Sequence, residues 1–245
     1  MIFDAHFHII DPRFPLVPNQ GYLPPVFTVA DYLARVQQLN VKGGAVVSGS
    51  FQAFDQQYLV AALQALGPGF VGVTQVPADI PDRDIRKLDA AGVRAVRFNV
   101  QRGGSEGVQH LERLARRVHD LAGWHTELYI NSLMLKNLLP QLKALPAVSV
   151  DHLGLSREGL PYLLELVAHG AKVKATGFSR CDFEVAEVMK TIVDINPAAL
   201  MFGTDLPSTR APQPFRDEEV TLITTHFPRE TAARILYQNA KAFYK

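Results

Sequence analysis

Residues 3–15 read Phe3-Asp4-Ala5-His6-Phe7-His8-Ile9-Ile10-Asp11-Pro12-Arg13-Phe14-Pro15. Side chains alternate faces along a strand. A strand over residues 3–9 therefore puts Phe3, Ala5, Phe7 and Ile9 on one face and Asp4, His6 and His8 on the other. The turn that follows is rich in proline and has no glycine before Gly21. A doubly wound open sheet more often carries a Gly-rich phosphate turn after its first strand. Its absence favours the other parallel architecture, a closed barrel.

The rest of the chain agrees. Short apolar runs over 44–48, 70–76, 95–100, 126–131, 148–152, 172–177 and 200–204 read as further strands. Amphipathic segments over 29–39, 55–66, 82–91, 108–122, 133–144, 161–169 and 183–193 alternate with them, and 218–225 and 231–243 form a helical tail. Eight strand-helix units point to β-α-β connections. Eight such units in about 250 residues is the usual size of a (β/α)8 TIM barrel. No linker, charge block or low-complexity tract divides the sequence, so residues 1–245 are expected to form one such α/β domain.

Composition narrows the function classes. Apolar residues make up 47% of the chain, enough for a real core. Lys plus Arg number 25 and Asp plus Glu 24, a balance that gives no reason to expect a nucleic-acid or anionic-membrane partner. Recognition of an anion must come from a few placed residues. One cysteine, Cys181, excludes an internal disulfide and fits a reducing compartment. No signal-peptide pattern and no long apolar run occurs, so a cytoplasmic location without a membrane span is expected.

In a barrel of this kind catalytic residues gather at the C-terminal ends of the strands. Three ionisable groups pointing inward from the first strand cost stability unless they are paired or bind something. His6 and His8, at i and i+2, can converge on one ion or one carbonyl oxygen. His152 and Asp205 lie at the ends of the sixth and eighth strands. Asp151 alternates away from His152 and reads as structural. Arg97 and Asn99 share the inward face of the fourth strand. An inward Arg suits bidentate binding of a carboxylate, or it pairs with an internal acid such as Asp4 or Glu127. Arg102, beside Gly103 and Gly104, sits on a loop and reads as a surface Arg or an anion ligand. Tyr129 and Asn131 near the end of strand five are candidate substrate contacts, and Arg180 is a second anion ligand. The proline-rich loop after the first strand either walls a pocket or is a rigid surface connection.

Together these residues resemble the amidohydrolase superfamily, in particular its lactonase branch. The resemblance spans nearly the whole chain. It rests on Phe3-Asp4-Ala5-His6-Phe7-His8, Asp11-Pro12-Arg13-Phe14-Pro15, Ala91-Gly92-Val93-Arg94-Ala95-Val96-Arg97-Phe98-Asn99, Gly123-Trp124-His125, Asp151-His152-Leu153-Gly154, Lys174-Ala175-Thr176-Gly177, Gly203-Thr204-Asp205-Leu206-Pro207 and Asn239-Ala240. The resemblance implies hydrolytic opening of a small lactone, from aromatic catabolism or from a sugar. It implies that His6, His8 and His152 polarise the scissile carbonyl, directly or through one divalent metal. Asp205 would be general base on water. Arg97, Arg102, Tyr129, Arg180 and Asn131 would bind substrate oxygens. His6, His8, His152 and Asp205 suit zinc in ligand type, while some relatives in this branch work without an ion. Asn131 in place of a His or Lys argues against a two-metal centre. Leu155 stands where dicarboxylate-cleaving relatives tend to place an Arg, and Leu206 replaces a more usual Trp.

Two other functions compete with lactone hydrolysis. One is metal-dependent, non-oxidative decarboxylation of an aromatic acid, known in a related branch. The other is a non-catalytic barrel that only binds a small acid.

Overall fold

Parallel strands need crossovers of a dozen or more residues, and the chain supplies one after every strand. The computed structural model describes residues 1–245. Strands β1 (Ile2–Phe7), β2 (Val41–Val47), β3 (Phe70–Thr74), β4 (Val93–Asn99), β5 (His125–Tyr129), β6 (Val148–Val150), β7 (Lys172–Ala175) and β8 (Leu200–Phe202) form one eight-stranded sheet in sequence order. Every registered pair is parallel. Two backbone bonds bridge the remaining seam just beyond β1 and β8. The Asp205 amide donates to the His6 carbonyl and the His8 amide to the Leu206 carbonyl, each at 2.7 Å. The result is the (β/α)8 TIM barrel.

Helices α1 (Val29–Arg35), α2 (Gln57–Leu66), α3 (Asp82–Ala90), α4 (Leu111–Ala122), α5 (Leu139–Lys143), α6 (Leu160–Ala168) and α7 (Val185–Ile195) fill the crossovers. The tail is α8 (Glu218–His226), α9 (Arg229–Ala233) and α10 (Asn239–Phe243), with α9 and α10 joined through a wide helical turn over Arg234–Gln238. None of these helices is long and apolar enough to cross a membrane. Thr28 and Asp31 start α1 with a reciprocal capping box. Two helices are shorter than the periodicity predicts. The first stops at Arg35, and Asn40 takes a left-handed φ of 53° before β2. The fifth splits into a tight turn over Ser132–Asn137 and α5, because Pro140 has no amide and is tolerated only in a helix's first turn.

Apolar residues divide between two layers. Val46, Val96, Phe98 and Val150 pack outward against the helices. Ala45, Val47, Val73, Ala95 and Met201 belong to a smaller cluster that fills the barrel interior, together with Ala240 and Tyr244 from the tail. Phe3 and Ala5 belong to this interior cluster, against the alternation expected for strand one. The cause is a bulge. Between Asp4, opposite Gly44, and Phe7, opposite Val46, three steps of β1 face two of β2. The bulge turns both Ala5 and His6 inward. Asp4 accordingly lies on the outer side, where it accepts from the Tyr32 hydroxyl of α1 at 3.0 Å and from the Thr204 amide at 2.8 Å. The inward Asp4 is thus corrected, and the two inward histidines stand.

Candidate active site

At the C-terminal end of the barrel the loops bring four expected residues together. His6 projects from the end of β1 and His8 from just beyond it, with their ring centroids 5.0 Å apart, and the His152 ring lies 4.9 Å from that of His6. Asp205 Oδ1 is 3.9 Å from His6 Nε2 and 3.7 Å from His8 Nε2. All four are buried. Gly203 makes the approach possible, since a Cβ there would lie 2.7 Å from the His6 amide nitrogen. Asp205 and His152 adopt left-handed backbone, at φ 59° and 52°. Such conformations cost energy in non-glycine residues and concentrate where function demands them.

The left-handed turn also corrects the reading of Asp151. Side chains of an extended strand would send Asp151 and His152 to opposite faces. Here β6 ends at Val150 and the backbone reverses at His152, so both face the interior. Asp151 accepts from Arg97 Nε at 3.0 Å and Nη2 at 2.9 Å, while Arg97 Nη1 donates to the Ser48 carbonyl at 2.9 Å. The internal acid that meets Arg97 is Asp151, and neither Asp4 nor Glu127. Burial alone would raise the Asp151 carboxyl, but Lys174 and Arg97 outweigh it and hold the group well below the usual carboxylate range.

Beneath His6 lies a second charged layer. Lys174 and Glu127, both fully buried, form an ion pair. Lys174 Nζ also lies 3.5 Å from Asp151 Oδ1 and 3.4 Å from His6 Nδ1. The Tyr244 hydroxyl donates to Glu127 Oε1 at 2.5 Å, and His125 Nε2 lies 3.0 Å from the same oxygen. Lys174 and Arg97 balance Glu127 and Asp151, as a buried set must. The sequence already offered Arg97 as the partner of an internal acid, whereas Lys174, although inside a quoted motif, carries no signal of this role in its spacing.

Two carbonyls orient the histidines. Val47 O is 2.7 Å from His8 Nδ1, and Thr176 O is 3.3 Å from His152 Nδ1. An Nδ1–H donating to a carbonyl leaves Nε2 as a lone pair. Gly177 keeps this contact open, because a Cβ there would lie 2.7 Å from His152 Nδ1. Burial lowers the His6 pKa to about 4 and the His152 pKa well below its ordinary value, so both rings are neutral at pH 7. Burial would raise Asp205, but Arg180 and His152 outweigh it and keep the group ionised. Arg180 holds Asp205 Oδ2 through Nε at 2.9 Å and Nη2 at 2.7 Å.

Asp205 Oδ1 and His6 Nε2 are buried with no hydrogen-bond partner. His6, His8 and Asp205 present ligand atoms all within 4.8 Å of one another. Nitrogen lone pairs facing an unpartnered carboxylate oxygen are what a divalent cation of the zinc type takes. The donor set therefore fits one such ion.

A cleft opens above these groups. Arg97, Arg102, Tyr129, Arg180, His8, His152 and Asp205 line it, as does Tyr22 from the proline-rich loop, which does wall the pocket. Tyr129 packs its ring 4.8 Å from His152 and 5.3 Å from the Arg97 guanidinium. Asn131 is a correction. It lies outside the cleft lining, and its Oδ1 accepts from the Leu133 amide at 2.9 Å, capping the turn after β5. Leu155 is buried and also outside it. Ser50, Thr209 and Arg210 line the cleft without having been singled out. They lie on loops that hydrophobic periodicity does not describe. Cys181 has its thiol pushed up to about 12 by burial, which excludes a ready thiolate.

A (β/α)8 barrel thus gathers His6 of β1, His8 just beyond it, a histidine after β6 and an aspartate after β8 at one mouth. The chain belongs to the Amidohydrolase family, whose profile matches residues 3–245. It is 33% identical over 156 residues to the 2-pyrone-4,6-dicarboxylate hydrolase of Comamonas testosteroni, an alignment covering 62% of this chain and 51% of that protein. The chain thus aligns with about half the length of that relative. It is 26% identical over 259 residues to a 4-sulfomuconolactone hydrolase of Rhizobium radiobacter, covering 95% of this chain and 85% of the other. A crystal structure of a probable 2-pyrone-4,6-dicarboxylic acid hydrolase from Acinetobacter baumannii superposes with a TM-score of 0.85 at 22% identity, covering 99% of this chain and 98% of that one. This last likeness is one of fold.

Proposed function

We propose that the protein hydrolyses a small carboxylated lactone. The observation that carries this reading is the unpartnered Oδ1 of ionised Asp205, set beside three histidines at the floor of an arginine-lined cleft. The hydrolase names of the two curated relatives support the reaction class.

Arg180 fixes Oδ2 of Asp205 and leaves Oδ1 to accept a proton from water. The water oxygen attacks the lactone carbonyl, the ring C–O bond breaks, and Asp205 returns the proton to the leaving oxygen. Arg97 and Tyr129 position the substrate's oxygens against the histidine wall. Arg180, nearly buried, adds positive charge where a carboxylate enters. His6, His8 and Asp205 would hold a divalent ion, with His152 beside them. Such an ion supplies a Lewis acid for the carbonyl. Donors or charge at a developing oxyanion are worth roughly 2.7–4 kcal/mol each. The single free cysteine supports a reducing, cytoplasmic setting.

The test is a pH-indicator screen of the purified protein against a lactone panel, with and without chelator, since ring opening releases acid. Asp205→Asn is expected to lose about a hundredfold or more in kcat. Wild-type turnover in that variant removes Asp205 from the mechanism. Carbon dioxide release from an aromatic acid points to decarboxylation instead. Ligand binding without turnover of any substrate leaves a binding barrel.

A further inference from the structure

The histidines of the site are not held alike. His8 Nδ1 faces the Val47 carbonyl at 2.7 Å and His152 Nδ1 the Thr176 carbonyl at 3.3 Å. A carbonyl only accepts, so a neutral ring there keeps its proton on Nδ1 and turns a lone pair on Nε2 toward the cleft. His6 is placed differently. Its Nδ1 has the Lys174 ammonium as hydrogen-bond partner, 3.4 Å away. An ammonium only donates. The Oδ1 of Asp151 also lies near, 3.5 Å from His6 Nδ1, but makes no hydrogen bond.

Lys174 is itself fixed. It is fully buried and ion-paired with the equally buried Glu127, and its Nζ lies 3.5 Å from Asp151 Oδ1. Glu127 in turn accepts from the Tyr244 hydroxyl at 2.5 Å. On the opposite edge of the His6 ring, Nε2 is buried without a partner, 3.9 Å from Asp205 Oδ1, an oxygen that also has none. A proton on Nε2 faces that carboxylate favourably, whereas a lone pair there faces it unfavourably. Both edges of the ring therefore favour the same tautomer, with Nδ1 accepting and Nε2–H donating. Burial lowers the His6 pKa to about 4, so the ring is neutral at pH 7 and the choice is one of tautomer, without a change of charge.

We propose that Lys174 is a positioning residue that holds His6 as its Nε2–H tautomer, which makes His6 the one histidine of the three able to donate a hydrogen bond to the substrate carbonyl. Lys174 acts through His6 and does not line the cleft. As water attacks, negative charge gathers on the carbonyl oxygen, and an N–H already aimed at it needs no reorganisation. His8 and His152 present only lone pairs to such an oxygen. A cation on His6 Nε2 would require the other tautomer, with the ring proton on Nδ1 toward Asp151. The catalytic consequence rests on the proposed lactone hydrolysis; the tautomer does not.

The test is long-range proton–nitrogen NMR of the histidine rings in the chelator-treated protein at pH 7, which tells a protonated ring nitrogen from a bare one. The His6 signals are identified by their loss in His6→Gln. The wild type is expected to carry its ring proton on Nε2 in His6 and on Nδ1 in His8 and His152. A proton on His6 Nδ1 in the wild type overturns the proposal. In Lys174→Met the His6 proton should shift toward Nδ1, facing Asp151. The kcat of the chelator-treated variant should fall about a hundredfold, the cost of losing one oxyanion donor, with KM little changed. That variant strands Glu127 without its ion pair, so Lys174→Met/Glu127→Gln, which removes both charges, is measured beside it. An unchanged His6 tautomer in either folded variant removes Lys174 from this role, and the wild-type measurement decides whether or not either variant folds. Absence of lactone turnover by the wild type would sink the lactonase reading and leave the tautomer measurement standing.

Discussion

His8 is held at one end and open at the other. Its Nδ1 meets the Val47 carbonyl at 2.7 Å, and its Nε2 faces the unpartnered oxygen of Asp205. A lone pair beside a carboxylate is repulsive until a proton or a cation comes between them. Zinc is therefore expected to raise the thermal midpoint of the chelator-treated protein, since a ligand that binds only the folded state stabilises it by about 2.7 kcal/mol at a hundredfold excess over Kd. His8→Ala should abolish that shift. A midpoint indifferent to zinc in the wild type would show that the donor set takes no ion. At this scale the sequence disclosed the pair His6 and His8 through spacing alone, because alternate residues of a strand share a face. It hid Arg210, because its loop position and left-handed backbone have no periodic signature.

Among elements, the seam between β1 and β8 is the demanding one. Gly203 lets the eighth strand lie against His6, and a Cβ there would also sit 2.8 Å from His6 Cβ. Gly203→Ala is expected to cost about 1–3 kcal/mol by overpacking and to lower kcat, because His6 must shift. Denaturant titration and steady-state kinetics check it. An unchanged midpoint together with unchanged kcat would show the seam to be slack. The strands and their order were readable from alternation of apolar runs. The bulge in β1 was not, since an extra residue leaves the composition of a strand unchanged while reversing the phase of everything before it. Asp4 fell on the wrong side for that reason, and Asp151 because the left-handed step at His152 lies beyond the reach of pattern.

For the molecule as a whole, buried neutral histidines set the response to acid. The folded-state pKa of His6 is about 4 and that of His152 is lowered also, against an unfolded value near 6.5. The unfolded chain therefore binds protons first as pH falls below about 6.5. His6 and His152 are therefore expected to withdraw stability as pH falls from about 6.5 toward 4, partly offset by Asp4 and Glu219, whose carboxyls burial raises to about 6 and about 7. Asp151 and Asp205, held below the usual carboxylate range, add their loss only at lower pH. Denaturant midpoints of the wild type and of His152→Asn from pH 7 to pH 4 check this: the variant is expected to lose less stability over that range, and an identical profile would show that His152 charges freely in the native state.

Phe3 stacks on Tyr244 at 5.5 Å on the barrel axis, and Tyr244 reaches the Ala5 carbonyl 239 positions away in sequence. During translation, then, the histidine-bearing strand emerges long before the residue that closes its floor. A nascent chain that still lacks Tyr244 leaves Glu127 without its hydroxyl donor and the floor beneath the Lys174–Glu127 pair open.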